Sequence, residues 1–322
     1  MALPVVKSLH VYPVKSCKGI DLQSAAALPT GFAFDRKWVI VREKNSKFQT
    51  QRQKPELALI ETSLPQQVLD GTGTLTGDAA LTLRAPGKDD FCVPLTSSTP
   101  RDRRNCKVWE WRGVAEDEGD AVAEWLSDFL GLSVRLLKYA GDGPDSQRSV
   151  DPAWGPGHQV AFPDGFPYLI ANQASLDDLN GRIGGEEQIP MNRFRANIVV
   201  DDCGAWSEDT WKIIRINPKD GPPLQFELKK PCSRCKIPTI DQNTASVGKE
   251  PMMELMKFRT GKQLGWDDVL SPNDVFFAWN AVVGGAGRVS VGDAVNVMST
   301  RENLVSAEAE SEQTTQDDGS AT

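Results

Sequence analysis

Apolar and polar positions alternate with a period of two in several short stretches, and take up a helical period in only a few. "KSLHVYPVKS" (7–16) alternates, "DRKWVIVRE" (35–43) is a β-branched and aromatic run between charged ends, and "ALTLRAPG" (80–87) closes on a Pro-Gly turn. All three read as strands. In "EDEGDAVAEWLSDFLG" (116–131), Val122, Trp125, Leu126, Phe129 and Leu130 fall at i, i+3, i+4, i+7 and i+8. That spacing predicts an amphipathic helix, opened by acidic residues as the helix dipole favours and capped by Gly131.

Residues 141–165 are rich in glycine and proline ("GDGPD", "DPAWGPGH", "FPDGFP"), which marks a connector or binding loop and a domain boundary. Beyond it, "PYLIA" and "RFRANIVVDD" read as strands, and "GRVSVGDAVNVM" alternates into a closing one. A helix is expected from Ser175 as N-cap with Asp178 three residues on, and another over "KEPMMELMKFR" with Pro251 in its first turn. From Arg301 the chain is polar, acidic and free of aromatics, so a disordered tail is expected. Strands early and late with few helices predict a β-dominated α+β chain with a barrel-like element. The expected division is 5–140, a β-rich part with one helix; 141–299, a second β part; and 300–322, the tail.

Composition narrows the class. With 322 residues, 39% hydrophobic and 25% charged, the chain is globular in character. A net charge of −8 argues against nucleic acid or an anionic membrane as the main partner. The N-terminal apolar run ends at Lys7, too short for a signal peptide, and no segment reaches the ~18 apolar residues of a membrane span. Six scattered cysteines (17, 92, 106, 203, 232 and 235) suit a reducing compartment. The expectation is a cytoplasmic, disulfide-free chain, with association with mitochondria left open.

"KKPCSRCKIPTID" (229–241) carries the chemistry of interest. Its Cys-x-x-Cys pair admits four readings. A zinc site needs four ligands, yet there is no second such pair and His10 and His158 are not spaced like a finger. A thioredoxin-type pair belongs early, at a helix start. Two cysteines packed as small hydrophobes is the plain reading. The fourth is one soft thiolate that ligates a metal carried by an organic cofactor, with Arg234 favouring its ionised form. Such a cofactor needs an anchor for its anionic group. Lys15, Ser16 and Lys18 before Gly19, then Arg36, then Arg193 and Arg195 with Asn197 two residues on, are candidates. Singly each is an ordinary solvated charge; together they make an anion clamp.

Five motifs, "HVYPVKSCKG", "FAFDRKWVIV", "NRFRANIVVDDCGAWSEDTW", "PCSRCKIPTID" and "VSVGDAVNV", stand in the order found in proteins with a MOSC domain. From about Val5 to Met298 the chain resembles amidoxime reducing components, those of plants and algae most of all. The resemblance implies an N-terminal β-rich domain packed on a MOSC β-barrel and a molybdenum cofactor (Mo-molybdopterin). It implies that Cys235, not Cys232, is the protein ligand of the metal and the catalytic residue. Ser233 and Arg234 match cofactor contacts, as do Lys15, Ser16, Arg36, Arg195 and Asn197 around pterin and phosphate. Gly165, Phe166 and Asn280 match positions reaching the cofactor from the barrel.

The function implied is reduction of N-hydroxylated compounds: amidoximes, N-hydroxyguanidines and hydroxamic acids. No flavin or haem motif is present, so the chain is not expected to draw on a pyridine nucleotide itself; the resemblance implies cytochrome b5 and its NADH-dependent reductase as donors. "RDRRNCK" (Arg101–Lys107) is a candidate patch for an acidic donor, or simply a charged loop. Alternatives are nitrite reduction to nitric oxide, with nitrate reductase as a partner, or a non-catalytic carrier of the cofactor or of sulfur. Two departures stand out: Ala196 replaces a proline in "FRAN", and "FFAWN" (276–280) replaces a Phe-Gly-Gln run, which bears on substrate shape near Trp279.

Overall fold

A computed structural model describes residues 3–185 and 188–304. Its main sheet closes on itself. Going round, Val5–Val11 is followed by Ala294–Thr300, Trp211–Asn217, Leu224–Ser233, Phe276–Val283, Tyr168–Asn172 and Ile198–Asp201, which pairs back onto Val5–Val11. An eighth strand, Ile20–Leu22, adds to Val5–Val11 outside this ring. Large alternate side chains from these strands fill the interior, among them Leu9, Tyr168, Ile170, Ile198, Ile214, Phe226 and Trp279. Closure leaves the barrel without a free edge, the arrangement that best protects a sheet from unwanted pairing.

Every ring contact is antiparallel except one. Tyr168–Asn172 and Ile198–Asp201 run parallel, and a parallel pair needs a crossover longer than a hairpin turn. The helix Gln173–Ile183 provides it. Its cap is Asn172, whose side-chain oxygen accepts the Ala174 N–H at 2.9 Å. This corrects the expectation of Ser175. The preceding strand runs straight into the helix, so the chain leaves extended geometry at Asn172. Ser175 then falls inside the first turn, buried, where its hydroxyl donates to Glu208 at 2.7 Å.

A second sheet lies beside the barrel, in the order Trp38–Arg42, Val134–Lys138, Trp111–Asp117, Arg103–Val108. The helix Asp120–Leu130 follows the predicted spacing, burying Val122, Trp125, Leu126 and Leu130 with Phe129 at the margin. Gly131 ends it at φ 63°, the left-handed cap that glycine takes without strain. The architecture is the β-dominated α+β fold that the alternation predicts.

Other expectations are revised. "KEPMMELMKFR" forms only one α-helical turn, Met252–Leu255, with Pro251 just ahead of it. Arg259 at its end is drawn off by a bidentate pair with Asp209 at 2.6 and 3.0 Å. "RDRRNCK" runs into a strand rather than forming a loop, and its arginines are already paired. Arg101 meets Glu118 at 2.7 Å, Arg103 meets Asp142, and Arg104 meets Asp117. Most of the expected tail lies outside the described residues. Of its first positions, Thr300 ends a barrel strand and Leu304 is buried.

Candidate functional site

Two turns and one strand entry build the site. The first turn leaves Val5–Val11 through Tyr12 and Pro13; the second precedes Trp38–Arg42. They are stitched together by Lys15 N–H to Trp38 O at 2.8 Å, Arg36 N–H to Tyr12 O at 2.8 Å and Trp38 N–H to Pro13 O at 3.0 Å. Ser16, Arg36 and Arg195 have φ of 71°, 45° and 58°. Left-handed backbone is unfavourable for residues with a Cβ, costing about 1–3 kcal/mol each, and such strain collects at functional positions. Here all three line one cavity.

Tyr12 is the base on which the cations rest. The guanidiniums of Arg36 and Arg195 each lie 4.3 Å from its ring centroid, a geometry the ring quadrupole favours. Its hydroxyl donates to Ala196 O at 3.2 Å. A Cβ on Gly19 would sit 2.5 Å from the Tyr12 ring edge, so only glycine lets this turn pass. Arg36 is further held by Asp35 at 2.6 Å, Asn197 Oδ1 at 3.0 Å and the Arg195 carbonyl at 3.0 Å. Lys15 donates to Phe162 O at 2.8 Å and Asp164 Oδ1 at 2.5 Å.

These groups are costly to bury. Burial brings Lys15 down to about 8 against the pull of Asp164. Burial likewise brings Arg195 down to about 10, and the neighbouring Arg36 pushes the same way. Asp164 is exposed, and the Lys15 ammonium and the Trp109 indole hold its carboxyl below the usual range. Two buried donors of cavity-lining residues, Arg195 Nη2 and Arg234 Nε, have no hydrogen-bond partner, and outside the cavity Arg193 Nε and Arg215 Nε have none either. An unpaired buried guanidinium N–H is expensive, so the arrangement suits an anion that the protein itself does not provide.

The cavity is lined by Lys15, Ser16, Arg36, Gly165, Phe166, Arg195, Asn197, Ser233, Arg234, Cys235 and Asn280, together with Thr50, Arg52, Asp164 and Leu169. The structure thus brings together the positions matched to a cofactor, from distant parts of the chain, but leaves the candidates Lys18 and Arg193 outside the cavity. Cys235 reaches the wall between the strand Leu224–Ser233 and the short 3-10 turn Ile237–Thr239. Behind the wall, Gln51 and Gln242 exchange amide hydrogen bonds at 2.9 and 3.0 Å, and Gln51 also holds Ser16 O at 2.8 Å. This buried pair ties the Ser16 turn to the loop that follows Cys235.

Several candidates point elsewhere. Arg234 does not serve Cys235: its Nη1 lies 3.0 Å from Cys232 Sγ and its Nη2 donates to Phe194 O at 2.9 Å. Burial raises the Cys232 thiol, with Arg234 opposing. Arg193 is taken by Asp241 at 2.8 Å and Lys18 by Glu61 at 2.8 Å. Arg195 and Asn197 do not share a strand face, because the strand starts at Ile198; the left-handed turn at Arg195 brings both inward. Trp279 is fully buried with its indole on Asp209 at 2.9 Å, so of "FFAWN" only Asn280 meets the cavity. Sequence reasoning missed Tyr12, Arg52 and Asp164; Tyr12 stood inside a quoted motif, but nothing in its spacing marks a cation platform.

All six cysteines are free. Among the described residues no group of three or more His, Cys, Asp or Glu is placed to hold a metal ion, so the Cys-x-x-Cys pair has no zinc-type companions there. No helix among them is long and apolar enough to cross a membrane.

A closed barrel with a smaller β sheet inserted after its first strand, and a cationic cavity with a cysteine in its wall, is the MOSC type of protein. The family description "MOSC N-terminal beta barrel domain" matches residues 3–133, and "MOSC domain" matches residues 157–296. Mitochondrial amidoxime reducing component 2 of Bos taurus is 33% identical over 263 residues, covering 79% of this chain and 72% of that protein. Mitochondrial amidoxime-reducing component 1 of Homo sapiens is 31% identical over 302 residues, covering 91% and 82%. Component 1 of Danio rerio is 32% identical over 266 residues, covering 79% and 74%. This chain belongs to the family of amidoxime reducing components.

Proposed function

We propose that this chain is a molybdenum-cofactor-dependent reductase of N-hydroxylated compounds, namely amidoximes, N-hydroxyguanidines and hydroxamic acids. Its electrons come from a cytochrome b5 and the NADH-dependent reductase of that cytochrome. The supporting observation is the pair of unpartnered, buried guanidinium N–H groups on Arg195 and Arg234, in the same cavity wall as Cys235. A polyanionic cofactor would satisfy those donors, and a sulfur beside them is a ligand suited to a soft-bound metal.

In this reading Cys235 Sγ ligates the metal. Lys15, Ser16, Arg36, Arg195 and Asn197 hold the phosphate and pterin, and Ser233, Arg234, Gly165, Phe166 and Asn280 complete the cradle. The bound cofactor supplies the two-electron chemistry that takes oxygen from an N–OH group. The chain's own contribution is positioning and field. Asp35 and Asn197 fix the Arg36 fork, Tyr12 keeps Arg36 and Arg195 aligned despite their mutual repulsion, and Arg234 engages Cys232, leaving the Cys235 sulfur free of that contact.

Metal analysis and benzamidoxime turnover with the donor proteins test this together. The expected result is molybdenum near one per chain, with activity lost in Cys235→Ser and kept in Cys232→Ser. Zinc as the sole metal, or full activity in Cys235→Ser, would overturn the assignment.

A further inference from the structure

Arg52 lines the cavity, yet its guanidinium has none of the ties that hold the other cations there. Its contact is the face of Trp109, 4.5 Å from the ring centroid. Trp109 is itself unusual. It occupies the two-residue turn between Val108 and Trp111, with φ 54°, where hairpin turns favour glycine or asparagine. A bulky aromatic in left-handed backbone is strained, and the residue remains 36% exposed. The ring is nevertheless fixed on three sides. Phe48 meets it edge-on at 5.1 Å, its indole N–H donates to Asp164 Oδ1 at 3.1 Å, and Arg52 covers it. The Asp164 charge is already met by Lys15. A strained, braced aromatic therefore props an otherwise uncommitted guanidinium on the cavity wall.

We propose that Arg52, positioned by Trp109, forms a subsite for a carboxylate carried by the substrate. This rests on the reductase reading and deepens it: among N-hydroxylated compounds, those with an acidic substituent would be preferred. A guanidinium matches a carboxylate with two parallel, charge-assisted hydrogen bonds. Stacking on Trp109 restricts the side chain beforehand, which lowers the ordering cost of that contact. Arg52 is the specificity-determining residue and Trp109 the positioning residue.

The test compares 4-carboxybenzamidoxime with benzamidoxime in the wild type, Arg52→Gln, Trp109→Phe and Trp109→Gly. Benzoate binding to the same purified proteins is measured by calorimetry, and molybdenum content is recorded. In Arg52→Gln the preference in kcat/KM for the carboxylated substrate should fall about tenfold, carried by KM, and benzoate affinity should fall about tenfold. Trp109→Phe keeps an aromatic face and should lose less. Trp109→Gly relieves the left-handed strain but removes the ring, so its preference for the carboxylated substrate should fall while molybdenum content and benzamidoxime turnover per folded chain hold, an outcome a purely structural role would not give. Equal losses on both substrates, benzoate binding that ignores Arg52, or loss of molybdenum in Arg52→Gln would each overturn the subsite, the last by assigning Arg52 to the cofactor. If the wild type reduces neither compound, the reductase reading fails, and benzoate titration still decides whether the Arg52 subsite exists.

Discussion

Two groups of arginines in this protein carry the same charge and have opposite surroundings. On the outer sheet, Arg101, Arg103, Arg104 and Arg135 each face a carboxylate, and Asp117 takes both Arg104 and Arg135. In the cavity, Arg195 and Arg234 each keep one buried donor unpaired, and Arg36 and Arg195 crowd one tyrosine ring. The outer group is complete without a ligand; the inner group is not. The sequence "RDRRNCK" looks the more basic of the two, yet its charge is already answered within the fold. What separates these two groups is the unpaired donor in the cavity wall, a property of partners and place rather than of residue type.

The sharpest way to break this comparison is Arg135→Met. Asp117 is buried, and removing one partner of a buried ion pair typically costs about 3–5 kcal/mol. Arg104 remains in place, so a loss near the lower end is expected in urea denaturation, with metal content per folded chain unchanged. Arg195→Met should do the reverse. Metal content should fall below about a tenth of wild type, roughly 1.4 kcal/mol in affinity, while the unfolding midpoint holds or rises because an uncompensated buried charge is gone.

The smallest effect concerns Lys15, whose pKa burial lowers to about 8. Between that value and the ordinary lysine range the unfolded chain binds a proton that the folded chain lacks, so folding stability should rise with pH across this window. Over the same window the cavity loses a cation. Pyrophosphate titrated calorimetrically should therefore bind several-fold more weakly at pH 9 than at pH 7, and Lys15→Met should flatten that dependence.

How much of this was legible in the sequence depends on the scale of the interaction. The helix Asp120–Leu130 and its Gly131 cap were visible because side-chain spacing and a glycine carry that information locally. The β-dominated class was visible from alternation. The Asn172 cap was not, since a strand running into a helix offers several polar residues for one role. Nor was the direction of Arg234, which sequence adjacency suggested would serve Cys235 and which packing turned to Cys232. Left-handed backbone at Ser16, Arg36, Arg195 and Trp109 leaves no mark when the residue is not glycine. Those four positions shape the cavity and its wall.

Closure of the barrel by its first strand has a consequence for the order of synthesis. Val5–Val11 leaves the ribosome early, but its partners Ile198–Asp201 and Ala294 follow nearly two hundred and nearly three hundred residues later. Pairings so distant along the chain are slow to form. During that interval the Lys15 turn has neither Arg195 nor Cys235 to face. A nascent chain therefore cannot assemble the cavity piecemeal, and whatever the cavity binds must wait until translation has passed the last barrel strand.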